Sequence, residues 1–558
     1  MKNKLKELVD HALPEILKEL RISEVRPEAV RYDIDLPKIK AHGDLSINLA
    51  FQLGRLYKKN PFEIASGCQK VLQKAVRNNQ AWGKWVKEIT VEKPGFVNFK
   101  LTEYSLANQL TDISNLDQNF GRSELGKGVK VIIEFVSANP TGPLTIAHGR
   151  QAAIGDALAR ILTVVGYQVH KEFYLNDSGR QIRLLGESLW IRYQELFGKK
   201  EPLPEEGYQG GYLIELAEKL KKEKGDKLFE AGKDKSIGEV TAYAVASILG
   251  GIKEDLKALR VVFDEYFSER SLTEKKKIDH ILKLLKEKDL SFESEGALWF
   301  RSTHFGDDKD RVLKKQTGEY TYITPDIAYH QSKFERGFHK LVNLWGPDHH
   351  GYIPRLKAAC QALGHSPDDL RILIVQLTTL YRKGEPVRMS TRPGEFVTLK
   401  ELMEEVGVDA ARFFFLMRKI ESHLDFDLEL AKQKSDENPV YYLQYAHARI
   451  SSVLAYAERT IERNVDLSLI HEDEAFDLIK KMSEYPEALK QASELLEPYR
   501  VVDYLRELAA LFHKFYTFRR IVTDDAPLTK ARLLLTDCVR IVLRNGLTIL
   551  GVSAPAKM

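Results

Sequence analysis

The chain has 558 residues, with 84 Lys plus Arg against 80 Asp plus Glu, so its formal net charge is +4. Hydrophobic residues make up 43% and charged residues 29%, a globular composition that excludes disordered and fibrous classes. The small net charge does not by itself indicate a nucleic-acid partner. At roughly 100–200 residues per domain, the length predicts three or four domains.

The cysteines and the first residues bear on the compartment. Cys68, Cys360 and Cys538 are widely spaced and odd in number, which argues against a disulfide framework and a CxxC metal knuckle. The opening segment MKNKLKELVDHALPEILKEL predicts an amphipathic helix and lacks the apolar core of a signal peptide. No apolar run is long enough to cross a membrane. We therefore expect a reducing, cytoplasmic location and no membrane partner.

Residues 1–115 combine helical patterns with a strand predicted at Gly95–Leu101. Asp44 stands directly before LSINLAFQLGRLY, and this placement suggests that it is the N-cap of a helix. The segment is therefore predicted to be an N-terminal α+β domain.

Residues 116–400 alternate between strand and helix patterns. A short apolar strand at Lys130–Phe135 contains Glu134 near its end and is followed by a Pro/Gly loop and an amphipathic helix. Further strands are predicted at Gln168–Leu175, Lys340–Leu344 and Arg371–Leu377. The alternation predicts an α/β catalytic domain with a doubly wound, Rossmann-like parallel sheet, whose ligands lie beyond the carboxyl ends of the strands.

Other segments break that alternation. The Lys/Glu-rich range 198–290 predicts a mostly helical insertion, residues 401–430 a connecting segment, and residues 431–558 a C-terminal helix bundle. Between Leu511 and Arg544, seven Lys or Arg face three Asp, a local excess of positive charge. The aromatic residues interleaved with these charges are Phe512, Phe515, Tyr516 and Phe518. A solvated helix face and a nucleic-acid-binding surface both fit this pattern.

The first candidate site is the loop Ser137–Arg150, which follows the first strand of the parallel sheet and opens a helix. Backbone N–H groups and the helix dipole favour anions at such a position, so a phosphate could bind there. Thr145 and His148, three residues apart, would project into the same cleft. An ordinary structural turn is the alternative.

Two more candidate sites follow later strands. The basic loop Arg382–Phe396 leads into Thr398–Glu401, which has the pattern of a capping box; a surface hairpin with solvated arginines is the alternative. In Leu344–Tyr352, the adjacent His349 and His350 suggest zinc, but adjacent histidines usually point in different directions. We predict no metal-binding residue.

Together these segments resemble the signature set of class I aminoacyl-tRNA synthetases. TIAH at Thr145–His148 is similar to the HIGH motif, Gly346–His349 to the GxDH motif, and Met389–Arg392 to the KMSKS motif. The surrounding residues narrow the resemblance to the arginyl-tRNA synthetase family over essentially the whole chain. The segments that carry it are EFVSANPTGPL, YLNDSGRQI at 174–182, GALWFRSTHFGDDKDRVL at 296–313, TYITPDIAYH at 321–330, AHGDLSINLA at 41–50 and the final LGVSAPAKM.

The resemblance implies the activity of an arginine–tRNA ligase. Arginine would react with ATP, accompanied by Mg²⁺, to give arginyl-adenylate, and the arginyl group would pass to the 3′ end of tRNA(Arg). The N-terminal domain would contact the outer corner of the tRNA, and the bundle would bind the anticodon. We expect a monomer, with arginine activated only when tRNA is bound.

A guanidinium is planar and carries five donors, so its pocket should offer carboxylates and a phenol in fixed geometry. By resemblance, Glu134, Tyr322 and Asp326 hold the guanidinium, and Asn139 and Asp348 lie near the substrate amino group. Tyr322 and Asp326 share one face if that stretch is helical. A strand-end salt bridge for Glu134 and a helix N-cap role for Asp326 are the alternatives.

The resemblance also assigns residues to ATP and to catalysis. The expected ATP-binding residues are Thr145, His148, Gly149, Gly346, Asp348, His349, Met389 and Ser390. The expected catalytic residues are Thr145, His148, Arg388, Ser390 and Arg392. Catalysis should come from positioning and from cations around the α-phosphate, with His148 among them.

Two positions depart from the family pattern. Thr145 replaces the first histidine of HIGH, and Thr391 replaces the second lysine of KMSK, so each offers a hydroxyl in place of a possible charge. Positive charge would then come from Mg²⁺ and from Lys383, Arg388 and Arg392. The alternatives are a synthetase-like protein that binds tRNA or arginine without aminoacylation, and another class I synthetase.

Overall fold

The computed structural model describes residues 1–22, 30–35, 37, 39–387, 397–457 and 461–558. Its first elements are α1 (Lys2–Glu19), β1 (Ile34–Asp35), β2 (Leu45–Ile47), α2 (Leu49–Tyr57), α3 (Pro61–Asn78), α4 (Gln80–Gly83), β3 (Val86–Glu92), β4 (Phe96–Leu101) and α5 (Glu103–Leu116). The four strands form an antiparallel sheet in the order β1-β2-β4-β3. The helix predicted at the start of the chain is confirmed as α1, and the strand predicted at Gly95–Leu101 is confirmed as β4.

The prediction that Asp44 caps a helix is wrong. Residues 45–47 are buried and pair with β4 as strand β2, so the helix begins four residues later than expected, at Leu49, with Asn48 as its N-cap. The Asp44 carboxylate accepts a hydrogen bond from the Leu101 N–H at 2.8 Å and lies 2.6 Å from the Lys480 Nζ. Asp44 therefore links the N-terminal sheet to the C-terminal helices.

The next part of the chain contains the parallel sheet. Its elements are β5 (Lys130–Glu134), α6 (Ile146–Val164), β6 (Gln168–Leu175), α7 (Arg180–Glu195), α8 (Gly211–Lys224), α9 (Lys227–Ala231), α10 (Lys233–Ala258), β7 (Glu265–Ser268), α11 (Arg270–Glu274), α12 (Lys277–Glu287), β8 (Ser291–Ser294), β9 (Ala297–Phe300), β10 (Arg311–Lys314), α13 (Ile323–Glu335), β11 (Lys340–Trp345), α14 (Ile353–Ala362) and β12 (Leu370–Ile374). Strands β8 to β10 form a separate antiparallel sheet.

The five-stranded sheet has the order β12-β11-β5-β6-β7, and every neighbouring pair is parallel. The strand order reverses between β5 and β11, and in open α/β sheets the crevice at such a reversal is where ligands bind. The predicted doubly wound α/β fold is confirmed. Glu134 is the last residue of β5, so its side chain lies at this crevice.

The range 198–290, predicted as a mostly helical insertion, contains the helices α8 to α10 but also the edge strand β7. Strand β7 has four residues, all partly exposed, which leaves no continuous apolar run as a sequence signal. The carboxyl end of β7 therefore brings Glu269, the next residue, to the same edge of the sheet as Glu134.

A third sheet follows β12. The elements are β13 (Thr378–Arg382), β14 (Glu385–Pro386), α15 (Leu399–Val406), α16 (Val408–Leu416), β15 (Leu424–Asp427) and α17 (Leu428–Lys432). The predicted capping box is confirmed: the Thr398 hydroxyl accepts from the Glu401 N–H at 3.1 Å, and the Glu401 carboxylate accepts from the Thr398 N–H at 2.7 Å. Arg150 of α6 is fully buried and donates to four backbone carbonyls around this sheet, those of Gln376, Leu377, Lys419 and Ser422.

The C-terminal part is helical, as predicted. Its helices are α18 (Pro439–Tyr456), α19 (Asp473–Ser483), α20 (Tyr485–Leu495), α21 (Tyr499–Phe518) and α22 (Ala526–Leu550). Helix α22 packs on α18, α19 and α21 and also on α5 and α6, so it joins the bundle to both preceding parts of the chain. Within the described residues, no helix has the length and apolar character needed to cross a membrane.

Candidate active site

The backbone turns sharply where β5 ends. Val136 and Ser137 have φ angles of 68° and 40°, a region that non-glycine residues, and β-branched ones above all, rarely adopt. Such outliers cluster at functional sites. The Ser137 hydroxyl donates to Glu134 Oε1 at 3.3 Å and accepts from the Tyr174 N–H at 3.1 Å, so the turn is fixed to β6.

Glu134 is 6% exposed, and its second oxygen has a charged partner. Glu134 Oε2 accepts a hydrogen bond from the Lys333 Nζ at 2.6 Å, and the fully buried Lys333 also donates to Asn343 Oδ1 at 3.2 Å. The strand-end salt bridge considered for Glu134 is therefore present. It occupies Oε2 and leaves Oε1 with the longer contact from Ser137.

Asp326 lies in the first turn of α13, and Tyr322 is the N-cap residue of that helix. The alternative in which Asp326 is the N-cap is therefore wrong. Burial, followed by the negative charges of Glu134 and Glu269, raises the pKa of Asp326 to about 7, against the opposing charge of Lys333. Asp326 is therefore partly protonated near neutral pH.

Glu269 and Tyr174, like Lys333, lie in this pocket but were not predicted as site residues. Glu269 follows β7, and Tyr174 of β6 donates a hydrogen bond to it. Burial raises the pKa of both groups, and the charges of Glu269 and Asp326 raise that of Tyr174 further. The pocket therefore brings three carboxyl groups together, those of Glu134, Glu269 and Asp326, at the carboxyl edge of the sheet.

The structure does not bring Tyr322 into this pocket. Its side chain is 81% exposed, although it lies one helical turn before Asp326 as the sequence suggested. Asn139 is half-buried on the loop after β5 and donates to Gln181 Oε1 at 2.6 Å.

Thr145 and His148 are in direct contact at the start of α6. The Thr145 N–H donates to His148 Nδ1 at 3.1 Å, and the Thr145 hydroxyl lies at the same distance from Nδ1. Burial lowers the pKa of His148 to about 4. The ring of the free enzyme is therefore neutral at pH 7, with its proton on Nε2, which does not support the expectation that His148 supplies positive charge.

The loop before α6 is joined to the start of α15. Thr145 and Thr398 form an isolated β-bridge, and the Leu399 N–H donates to the Leu144 carbonyl at 2.8 Å. A Cβ placed on Gly149 would lie 2.5 Å from Leu399 Cδ1, so a larger residue would require the Leu399 side chain to shift. The two segments that resemble HIGH and KMSKS are thus connected through the backbone that flanks them.

The segment Gly346–His349 follows β11 at the same edge of the sheet. Asp348 and His349 are exposed, and His349 lies 5.8 Å from the ring of Trp345. The four residues of the KMSKS-like segment named as site residues, Arg388, Met389, Ser390 and Arg392, lie outside the described residues, as does Thr391. Lys383 is described, and it lies in the exposed turn between β13 and β14.

A group of metal-ligand type lies on the sheet beside this pocket. Ligand atoms of His170, Glu172 and Glu265 are within 4.8 Å of one another. The Arg336 guanidinium contacts both carboxylates, at 2.5 Å from Glu172 and 2.9 Å from Glu265. This arginine supplies the positive charge that the two carboxylates need.

Comparison with known proteins identifies the family. A model of the class I (R) tRNA synthetase catalytic domain matches residues 109–422, which include this pocket. A model of the arginyl tRNA synthetase N-terminal domain matches residues 3–101, and one of the DALR anticodon binding domain matches residues 443–558. The arginine–tRNA ligase of Syntrophotalea carbinolica is 45% identical over 100% of both chains. The chain belongs to the arginyl-tRNA synthetase family.

A second relative is also an arginine–tRNA ligase, and a solved structure shares the fold. The arginine–tRNA ligase of Geobacillus thermodenitrificans is 46% identical and covers 100% of this chain and 99% of its own. The solved arginyl-tRNA synthetase of Thermus thermophilus shares the fold over 100% of both chains, with 22% identity and a TM-score of 0.77. The synthetase is an arginine–tRNA ligase, which activates arginine with ATP and transfers it to the 3′ end of tRNA(Arg).

Proposed function

We propose that Glu134, Asp326 and Glu269 hold the guanidinium of the arginine substrate. The observation that carries this assignment is the convergence of three carboxyl groups at the crevice where the strand order reverses. A guanidinium can bridge carboxylates with several parallel hydrogen bonds, whereas an ammonium is a point charge that would leave buried oxygens unpaired. Tyr322 would have to change rotamer to reach this pocket, and we propose that it does so when arginine binds.

The reaction itself needs no protein nucleophile. The arginine carboxylate attacks the α-phosphorus of ATP, pyrophosphate leaves, and the terminal ribose hydroxyl of tRNA then attacks the aminoacyl carbon and releases AMP. Asn139 and Asp348 would lie near the substrate amino group. Thr145 and the neutral His148 would donate hydrogen bonds to the phosphates at the N-terminus of α6.

ATP would extend from that helix terminus along the edge of the sheet. Its expected contacts are Thr145, His148, Gly149, Gly346, Asp348, His349, Met389 and Ser390. Mg²⁺ would enter with ATP as part of the substrate. The catalytic domain is assigned to residues 116–400, with an insertion at about 198–290, and the connecting segment to 401–430. We expect the mass measured in solution to be that of a monomer.

Replacing Asp326 with asparagine should raise the arginine KM by about 10- to 100-fold, since hydrogen bonds to a charged group contribute ~1.5–3 kcal/mol. The ATP KM should change little. Because the Asp326 pKa of about 7 is above that of a free aspartate, its charged form grows as the pH rises. The arginine KM of the unmodified enzyme should therefore fall as pH rises through about 7 and level off above it.

The control for this prediction is the pH profile of the variant. The amide of an asparagine side chain cannot titrate, so Asp326→Asn should lose the dependence of the arginine KM on pH near 7. Steady-state aminoacylation at several pH values, with tRNA saturating, measures both effects. An unchanged arginine KM together with an unchanged pH profile would remove Asp326 from the arginine pocket.

We also propose that residues 1–115 contact the outer corner of tRNA and that residues 431–558 bind its anticodon. The bundle contains a cavity of about 820 Å³ whose walls include Tyr445, Arg449, Tyr456, Tyr516, Phe518 and Met558. The Arg449 guanidinium lies 4.6 Å from the ring centroid of Tyr516 and 4.7 Å from that of Tyr445. Aromatic rings and arginine planes are the surfaces on which unpaired bases stack.

The basic aromatic stretch of the sequence divides between core and cavity. Phe512 and Phe515 are fully buried in the bundle, whereas Tyr516 and Phe518 line the cavity. Packing of the bundle therefore explains Phe512 and Phe515, whereas we propose nucleotide binding for Tyr516 and Phe518.

Replacing Tyr516 with alanine should raise the KM for tRNA(Arg) by about 5- to 100-fold, since base–aromatic stacking contributes ~1–3 kcal/mol per base. The arginine KM at saturating tRNA should stay within about twofold, because none of the residues that line the cavity belongs to the arginine pocket. Phe292→Ala is a matched control, since Phe292 also has an arginine over its ring, Arg301 at 4.7 Å, but lies outside the bundle. Equal tRNA KM values for both variants would contradict the proposal.

A further inference from the structure

Lys333 is a buried cation inside a pocket that must itself bind a cation. Its side chain has no exposed surface, and its Nζ lies 2.6 Å from Glu134, 3.2 Å from Asn343 and 4.1 Å from the centroid of the Tyr329 ring. A buried ammonium is costly unless its donors have partners. Here two hydrogen bonds and one aromatic face satisfy it, so its position is fixed.

The partners of Lys333 are fixed in turn. Asn343 donates from Nδ2 to His330 Nε2 at 2.7 Å, and His330 Nδ1 donates to the backbone carbonyl of Asp326 at 2.8 Å. Burial lowers the pKa of His330 well below its ordinary value, so the ring is neutral and can make both contacts at once. A continuous hydrogen-bonded chain therefore joins Glu134 on β5 to the helical turn that carries Asp326.

We propose that Lys333 is a positioning residue for arginine recognition, which holds Glu134 Oε2 so that Oε1 faces the guanidinium. The inference rests on the proposed arginine pocket. Since Lys333 occupies one oxygen and Ser137 contacts the other at 3.3 Å, the carboxylate has one orientation before the substrate arrives. Preorganisation of this kind lowers the cost of binding, because the carboxylate does not have to be ordered when arginine binds.

Lys333 also sets the charge of the pocket. The ionisable or polar groups that face it from the surrounding elements are Glu134 of β5, Glu172 of β6, Asp326, Tyr329 and His330 of α13, Asn343 of β11 and Cys360 of α14. Its charge opposes the rise in the pKa of Asp326. Loss of that charge should therefore move the titration of Asp326 to higher pH.

The test compares Lys333→Met with Lys340→Met in the full-length enzyme. Lys340 is the matched control, because it pairs with Asp369 at 2.8 Å on β11 but its side chain is 46% exposed. For Lys333→Met we expect the arginine KM to rise by about 10- to 100-fold, the ATP KM to change by less than about twofold, and the pH profile of the arginine KM to shift upward. Lys340→Met should behave as the unmodified enzyme in all three measurements.

A double variant separates positioning from packing. Above the pH range in which Asp326 titrates, Glu134→Gln alone should raise the arginine KM, and adding Lys333→Met to it should cause little further rise if Lys333 acts through Glu134, because coupled residues give non-additive effects. The double variant also removes both charges of the buried pair, which destabilises proteins less than removing one of them. It therefore serves for the measurement if Lys333→Met does not fold.

The outcomes distinguish the positioning role of Lys333 from the assignment of the arginine pocket. If Glu134→Gln and Asp326→Asn raise the arginine KM while Lys333→Met alters neither this KM nor its pH profile, the positioning role is wrong and the pocket stands. Additive effects of Glu134→Gln and Lys333→Met on the arginine KM, measured above the pH range in which Asp326 titrates, would also overturn the positioning role. If none of the three variants affects the arginine KM, the pocket assignment is wrong as well.

Discussion

Replacing Arg412 with methionine should lower the free energy of unfolding by about 3–5 kcal/mol, the usual effect of removing one partner from a buried ion pair. Arg412 of α16 and Asp156 of α6 are both fully buried and lie 2.7 Å apart. The guanidinium also donates to the carbonyls of Leu550 at 3.0 Å and Leu259 at 2.8 Å. Methionine would leave the carboxylate and both carbonyls without these donors.

Arg160→Met provides a matched control for this prediction, because Arg160 contacts the same carboxylate at 2.8 Å but its side chain is 36% exposed. Because Arg160 is partly hydrated, its removal should cost less than the removal of the fully buried Arg412, so this variant should unfold at a higher urea concentration than Arg412→Met. Urea unfolding followed by circular dichroism measures both. If both variants lost a similar free energy of unfolding, burial would not be the reason why the ion pair of Arg412 and Asp156 stabilises the protein.

Arg412 also explains why the residue that follows α22 is a glycine. Gly551, with a φ of 69°, follows α22, and a Cβ at this position would lie 2.2 Å from the Arg412 guanidinium. The end of α22 can therefore approach the catalytic part of the chain only with a glycine at that position. Arg412 therefore holds together α6, α16 and the end of α22.

Most of the parallel sheet could be predicted from sequence because its strands are short apolar runs bounded by turns. Strand β6 has the predicted bounds, and β5 and β11 differ from prediction by one residue at one end. Glu134 could be placed near the carboxyl end of β5 because the predicted strand ended only one residue after it. The edge strand β7 was missed, since it is partly exposed along its whole length and carries no such run.

The composition of the pocket could be predicted only in part. Glu134 and Asp326 were found because their segments resemble a family. Glu269 lies in the range 198–290 that was predicted as a mostly helical insertion, and Lys333 was not among the predicted site residues. Lys333 stands seven residues after Asp326, two helical turns along one face, which is the sequence signal that could have indicated it. Glu269 reaches the pocket through the pairing of β7 with β6, a long-range contact with no local signal.

The charge states of His148 and Asp326 could not be predicted from the sequence either. His148 in a HIGH-like motif suggests a cation, yet burial lowers its pKa to about 4, and the pKa of Asp326 is raised to about 7 by burial and by two other carboxyl groups close to it. Both shifts depend on how many groups the fold gathers around an atom, and that number is a property of the tertiary structure.

The neutral His148 strengthens a prediction about the segment 388–396, which resembles the KMSKS motif. Thr145 and Thr391 offer hydroxyls, and His148 is uncharged at pH 7, so these three residues leave the negative charge of the reacting phosphates without a balancing cation. Mg²⁺ and the loop arginines are then the expected sources of positive charge. Arg392→Ala should lower kcat by about 10²- to 10³-fold, the range for losing one group that stabilises a transition state. The arginine KM should change much less, because the loop would act mainly on the transition state.

Arg382→Ala is the matched control, since Arg382 is the last residue of β13, six residues before Arg388, and already pairs with Glu405 at 2.8 Å. Its kcat should stay within about threefold of the unmodified enzyme, as expected for an exposed ion pair. Thr391→Lys restores the cation of the family pattern and should be tolerated. Single-turnover transfer and ATP–pyrophosphate exchange, both with tRNA present, separate activation from product release. If Arg388→Ala and Arg392→Ala each kept a near-normal rate of activation, the loop would not be the source of phosphate neutralisation, and Mg²⁺ with the helix terminus at Thr145 would have to supply it.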